Sequence, residues 1–310
     1  MNPTMLLPLA VVLDLLLGDP PGWPHPVRAI GWGYARLDAL ADRMDWRNRL
    51  FGAICVIFLA GGSAVVVWAA CSLPFFGPLA ALYFAYAGLA LGSLLTEARR
   101  AARFLMSGDL DAARTAVGGL VSRDTTALEA PELWRALAES VAENANDGFT
   151  APLCWLALGG PAGLWAYKAV STADSMWGYR TVRHEALGWF GARADDVLAY
   201  IPARLTVAGL WLAARLLGRG QGVKLGDIAR DARKSASPNA GWPMAAAAWL
   251  CGGGMGGPSR YFDRIVDKPR LGPRAGQWNA ERMRLLSRMV LLTGCIVAMA
   301  IFLLRIAVDV

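Results

Sequence analysis

From Phe51 to Leu95 the chain runs for 45 residues without an Asp, Glu, Lys or Arg. A helix at a soluble protein's surface needs a polar face for water, whereas a hydrocarbon layer accepts about 20 apolar residues per crossing helix. The interval is long enough for two such helices, Phe51 to Cys71 and Leu79 to Leu95, with the Pro/Gly-containing SLPFFGP between them as a turn. At about 1.5 Å rise per residue, the second lies near the lower limit for a span.

Composition agrees with a membrane setting. Only 18% of residues are charged, where a soluble domain has about 25%, and the mean hydropathy is +0.37. Thirteen tryptophans suit an interface at which one ring meets both lipid and water. The five cysteines, Cys55, Cys71, Cys154, Cys251 and Cys295, are far apart and form no metal-binding spacing, so they read as small buried side chains. The net charge of +7 suits anionic lipid or a phosphorylated substrate, and no nucleic-acid-binding motif accompanies it.

The expected fold is a predominantly α-helical polytopic membrane protein with cytoplasmic or interfacial polar helices and re-entrant or broken segments. One integral membrane domain is expected over 1–310. Apolar helices and the hairpin occupy 1–95, a polar motif region with embedded or interfacial helices covers 96–284, and a C-terminal membrane helix takes 285–310. The run Leu6 to Leu17 lacks a basic n-region and reads as a retained short helix. Glu97 to Ala145 reads as amphipathic helices broken around Ser107 to Asp109 and Gly118 to Asp124. Gly148 to Tyr167 is uncharged but punctuated by Pro152, Gly159, Gly160, Pro161 and Gly163, which suits a broken or re-entrant element. Ile201 to Leu217 is either a membrane or an interfacial helix, and Met289 to Leu304 is the final apolar run. Gly252 to Gly257 reads as close backbone packing or a ligand-binding turn.

Glu139, Glu143 and Asp147 recur every four residues in ESVAENANDG and share a face if the helix reaches Asp147. Such a face suits Mg²⁺, bound water, basic partners or plain solvation, with Asn144 and Asn146 adding polar groups. Farther on, Asp174, Asp195 and Asp196 suit Mg²⁺, directly or through water, while Arg180, Arg183 and Arg204 suit phosphate oxygens; interfacial ion pairing uses the same residue types. His25 lies in GDPPGWPHPVR, whose four prolines bend the backbone, with Arg28 nearby; it suits acid–base chemistry or a structural hydrogen bond. His184 sits beside Glu185 and is expected to pair with it. SPNAGWP offers Ser237, Asn239 and backbone donors to an amide or phosphate, or simply forms a turn. GxxxxGK[ST] does not occur.

Taken in order, LLLGDPPGWPHPVRAIGW, VSRDTTAL at 121–128, ESVAENANDGFTAPL at 139–153, YKAVSTADSMWGYR at 167–180, GARADDVLAYIPARL at 191–205, SPNAGWPMAA and GGPSRYF give the chain a close resemblance, over essentially its whole length, to the adenosylcobinamide-phosphate synthase family of cobalamin biosynthesis. The resemblance implies a membrane-bound ligase that joins aminopropanol, free or O-phosphorylated, to the remaining activated carboxyl of adenosylcobyric acid. It implies Mg²⁺ and ATP as cosubstrate and no bound prosthetic group. Membrane lipid is the expected surround, with downstream cobalamin-assembly enzymes or a second copy as partners, at the bacterial inner membrane with a cytoplasmic active site. A membrane-bound corrinoid-binding assembly protein acting with a separate synthase is the alternative.

Glu139, Glu143, Asn144, Asp147, Asp174, Tyr179, Arg193, Asp195, Asp196 and Pro202 to Arg204 lie in family-like segments. The implied division of labour gives proton abstraction from the amine to Glu139 or Glu143 and Mg²⁺–ATP positioning to Asp147, Asp195 and Asp196. Phosphate neutralisation falls to Arg180 and Arg204. Substrate or cofactor contacts extend to His25, Arg28, Asn144, Asp174, Tyr179, Arg193, Ser237 and Asn239. The chain departs from the family pattern at His184, where Tyr is common, at Ala199, where Asn is common, and at Ser235, where His is frequent. His184 is therefore a poor candidate for an essential base.

Arg43, Arg47 and Arg49 precede the hairpin and Arg99, Arg100 and Arg103 follow it, which places both its ends in the cytoplasm. A single cysteine at Ser122, in a functional Cys-depleted background, is expected to label from the cytoplasmic side; labelling exclusively from outside contradicts this orientation.

Overall fold

The computed structural model describes residues 3–20, 22–179, 181–261 and 264–309. In chain order the helices are α1 (Pro3–Leu17), α2 (Pro26–Met44), α3 (Arg49–Cys71), α4 (Gly77–Ala87), α5 (Leu91–Ser107), α6 (Leu110–Gly118) and α7 (Ala130–Asn144). A π-helical turn, Ala145–Thr150, follows, then α8 (Ala151–Trp177), α9 (Trp189–Leu198), α10 (Tyr200–Leu216), α11 (Leu225–Ala232) and α12 (Gly241–Cys251). An antiparallel hairpin, β1 (Met255–Tyr261) with β2 (Arg264–Leu271), precedes the long α13 (Ala280–Asp309).

Three helical stretches, Arg49–Cys71, Gly77–Ser107 and Ala280–Ala307, are long and apolar enough to cross a membrane, and α9 with α10 makes a fourth if the bent pair is one span. Helix α3 leaves Ile54, Ile57, Phe58, Val65, Val66 and Trp68 exposed, an apolar surface that suits lipid. This is an α-helical membrane protein. The expected helix Leu79 to Leu95 is interrupted at 88–90, between α4 and α5. Gly88 sits where a Cβ would lie 2.0 Å from the Leu164 side chain, so close packing fixes glycine at the break.

The chain forms two compact units, one of 1–90, 151–199 and 300–310 and the other of 91–150 and 200–299. In the first, α3 packs along α8, with Tyr34 of α2 donating its O–H to the Ala169 carbonyl at 3.0 Å and meeting Trp177 edge-on. Helix α8 kinks at Gly160, whose φ of 61° is followed by Pro161. Proline offers no N–H to the Ala157 carbonyl one turn back, and the Arg305 guanidinium donates to it instead. The broken apolar element expected over 148–167 thus takes the form of a π turn and a kinked helix.

His25 caps α2, its Nδ1 accepting the Val27 N–H at 3.3 Å while Nε2 lies 3.5 Å from Asp19. The expected pairing of His184 with Glu185 is not what the fold builds. His184 Nε2 lies 3.4 Å from Asp38 Oδ1, inside a network in which Arg183 Nη2 reaches Asp38 and Asp42 at 2.6 and 2.7 Å and Arg47 reaches the same two carboxylates. Sequence adjacency was a poor guide because α2 brings Asp38 to the 181–188 turn, while Glu185 stays exposed.

Burial pushes the His184 imidazole below its ordinary 6.5, with Arg183 and Arg47 acting the same way and Asp38 opposing them. A histidine whose pKa is lower folded than unfolded contributes full stability above the unfolded value, and that stability is lost as pH falls through the interval below it. Asp38, held below the carboxylate range against its own burial by hydrogen bonds from Arg183 and Arg47, adds a loss at still lower pH. The Tm in detergent is therefore expected to fall between about pH 7 and about pH 5, and His184→Tyr should flatten that fall. Identical pH slopes in the two proteins would remove His184 from the account.

Candidate functional site

The second unit assembles its polar residues around α7 and the π turn. Glu132 Oε2 accepts the Glu129 N–H at 3.1 Å at the start of α7, and Leu133, Leu137 and Val141 are fully buried. Glu139 and Glu143, one turn apart, are therefore held on a rigid, packed helix. At Asn144 the α-helix gives way to the π turn, closed by the Thr150 hydroxyl on the Ala145 carbonyl at 3.1 Å. Asp147 lies within that π turn, four residues beyond Glu143.

Glu139 is 3% exposed and both its oxygens are engaged. Oε2 accepts from Arg123 Nη2, and Oε1 accepts the Gly256 N–H at 2.7 Å. Arg123, 8% exposed, also donates to Ser259 Oγ at 3.3 Å. One buried ion pair thus ties α7, the 121–128 loop and the β1–β2 hairpin together. The hairpin and the roles of Arg123 and Lys268 were not anticipated from the sequence. VSRDTTAL and GGPSRYF carried the signal as motifs, without showing that Arg123, Gly256 and Ser259 meet.

Glu143 stands differently. Although it keeps some accessible surface, burial raises its carboxyl above the usual range; the Glu139 charge adds to the rise, while Lys268 of β2 and Arg123 oppose it. A carboxyl shifted this way is better matched to proton transfer near neutral pH than an ordinary one.

The neighbouring candidates form ordered contacts. Asn144 Nδ2 donates to the Ser140 carbonyl at 3.0 Å and lies 3.1 Å from Ser140 Oγ, and Ser140 Oγ donates to the Leu120 carbonyl. Asn146 bridges Asp147 Oδ1 at 2.7 Å and the Thr206 hydroxyl of α10 at 3.2 Å. Arg204 donates to Asn239 Oδ1 at 2.8 Å and stacks on the rings of Tyr200 and Trp242. Ser237 Oγ accepts the Asn239 and Ala240 N–H groups at 3.2 Å, ordering the turn into α12. Glu139, Glu143, Asn144, Asp147, Arg204, Ser237 and Asn239 all belong to this unit.

His25, Arg28, Asp174, Tyr179, Arg193, Asp195 and Asp196 belong to the first unit. Arg28 and Arg193 are exposed, and a Cβ at Gly178 would collide with Asp174 Oδ1, so that glycine admits the carboxylate beside the chain. Arg183 is engaged by Asp38 and Asp42. Arg180 lies outside the described residues. Among the described residues, no three His, Cys, Asp or Glu are grouped to hold a metal ion. Mg²⁺ bound with phosphate needs only one or two carboxylates, its remaining ligands being water and phosphate oxygen, a requirement that Asp147 in the second unit and the adjacent Asp195 and Asp196 in the first each meet by residue type alone.

The family profile described as CobD/CbiB protein matches residues 7–290. The chain belongs to the CobD/CbiB family. It is 40% identical over 303 residues to the cobalamin biosynthesis protein CobD of Pelobacter propionicus, covering 94% of this chain and 92% of that one. It is 38% identical over 274 residues to the cobalamin biosynthesis protein CbiB of Salmonella typhi, covering 85% of each. No solved structure matches it. The CobD/CbiB match spans both α7 and the hairpin, so the Arg123–Glu139 junction lies within the family's extent.

Removing one member of a buried pair strands the other. Arg123→Met is expected to cost about 3–5 kcal/mol of stability, read by denaturant or thermal unfolding in detergent. Arg123→Met combined with Glu139→Leu should lose less, since no charge is left buried and what remains is chiefly the Gly256 N–H without its acceptor, at about 1–3 kcal/mol. A double variant that is less stable than the single would contradict the pairing.

Proposed function

We propose that this chain is an adenosylcobinamide-phosphate synthase, a ligase forming an amide between adenosylcobyric acid and aminopropanol or its O-phosphate, with ATP and Mg²⁺. Membership of the CobD/CbiB family over nearly the whole chain carries the reading, because relatives on both sides of that name are called cobalamin biosynthesis proteins. In this reading 1–310 acts as one catalytic domain in the bacterial inner membrane, with its chemistry at the cytoplasmic boundary.

A carboxylate has a poor leaving group. In the proposed reaction the corrinoid carboxylate oxygen attacks the γ-phosphorus of ATP, and ADP departs to leave an acyl phosphate. The amine nitrogen then attacks the carbonyl carbon and inorganic phosphate leaves. A primary amine is largely protonated at neutral pH and must lose a proton to attack. Glu143 is the group we assign to take it, since its raised pKa suits a base near neutrality and both Glu139 oxygens are engaged. Arg204 neutralises phosphate charge, and Asn144, Ser237 and Asn239 orient amide or phosphate groups. Mg²⁺, where bound, would neutralise phosphate oxygens; the carboxylate we assign to it in the second unit is Asp147, and those in the first unit are Asp195 and Asp196.

Purified protein in nanodiscs is expected to convert adenosylcobyric acid and aminopropanol phosphate to the new amide, detected by mass spectrometry alongside ADP. Glu143→Gln should keep corrinoid binding and lose at least about 100-fold in turnover. Folded wild-type protein that binds the corrinoid yet forms amide only with a separate synthase would favour the assembly-protein role instead.

A further inference from the structure

Cationic side chains gather at the base of the β1–β2 hairpin. Gly256 and Gly257 both adopt positive φ, 82° and 88°. At Gly256 a Cβ would lie 2.1 Å from the Pro269 carbonyl oxygen, so glycine there serves strand pairing. Gly257 is different. The nearest atoms to a Cβ would be Arg135 Nη1 at 3.4 Å and Arg270 Nε at 4.0 Å, two guanidinium groups flanking the space where a side chain would stand.

Lys268 lies opposite Gly257 in the ladder, and its charge reaches Glu143. Directly opposed residues are near neighbours, so a third cation borders the same bend. The strand register is irregular between Met255 and Gly257, a feature that re-aims side chains. Arg135 is anchored from α7, its Nη2 donating to the Pro258 carbonyl at 3.3 Å, while its Nε is buried and makes no hydrogen bond. Of the two nearby glutamates, Glu139 is committed to Arg123 and Gly256, and Glu143 lies within electrostatic reach of Lys268, which leaves Arg135 and Arg270 as the pair flanking Gly257. Gathering like charges is unfavourable unless an anion joins them.

We propose that Gly257, Arg135, Lys268 and Arg270 form a phosphoryl-binding site. Glycine lets the anion approach the backbone, the two guanidinium forks match phosphate oxygens, and the ammonium adds a point charge. The phosphoryl group belongs to a nucleotide or to a phosphorylated amino alcohol, a choice of ligand that rests on the function proposed above.

The test is calorimetric titration of the full-length protein in detergent, without corrinoid, using ATP, aminopropanol phosphate and unphosphorylated aminopropanol as separate probes. Arg270→Gln, at an exposed position, and Lys268→Met are expected to weaken phosphorylated probes at least tenfold and leave aminopropanol unaffected. Gly257→Ala, which keeps every charge and fills the space, should weaken the same probes. Loss for ATP alone supports a nucleotide site, and loss for aminopropanol phosphate alone supports an amine-substrate site. Unchanged affinity for both in folded variants, equal loss for aminopropanol, or wild-type protein that binds neither phosphorylated probe overturns the site. Binding through these residues with no amide formed would leave the site standing and remove the synthase reading. Amide formation with unchanged KM for both phosphorylated substrates in Arg270→Gln would do the reverse.

Discussion

The Arg123–Glu139 pair is the interaction on which the second unit's site depends. Each ion costs several kcal/mol to remove from water, and the cost is offset only where geometry and further hydrogen bonds satisfy what remains. Here the Gly256 N–H completes Glu139 and the Ser259 hydroxyl accepts from Arg123. Their junction fixes the hairpin against α7, and Lys268 is thereby brought within electrostatic reach of Glu143. The two glutamates have the same chemistry in isolation. Their surroundings separate them into a structural anion and a carboxyl with a raised pKa.

The π turn adds a second constraint. It ends α7 immediately after Glu143 and Asn144, and Asn146 within it is tied to Asp147 and to Thr206. π turns frequently occur at functional sites because they redirect side chains without ending the helix.

Much of the helical framework was legible in the sequence. Hydropathy placed α3 from Arg49 to Cys71 within two residues of its expected start, and turn residues marked the breaks that end α5 and α6. The hairpin was not legible, because β1 contains Gly256, Gly257 and Pro258, residues depleted in strands, and its position depends on Glu139, 117 residues earlier in the chain. The break at Gly88 depends on the distant Leu164, and the His184 partner proved to be Asp38. Local pattern identifies apolar faces and turns. It does not identify which buried charge answers another across the fold. The motif residues were recognisable one by one, but the roles of Arg123 and Lys268 emerged from their contacts.

The most direct measurement is the pH dependence of kcat/KM for amide formation with unphosphorylated aminopropanol, which carries no titrating phosphate. If Glu143 accepts the proton, the acid limb lies above the ordinary carboxylate range. Lys268 lowers the Glu143 pKa, so Lys268→Met should move that limb to still higher pH. An acid limb that stays at the same pH in Lys268→Met, with the variant folded and active, would contradict the coupling between hairpin and helix on which the account rests.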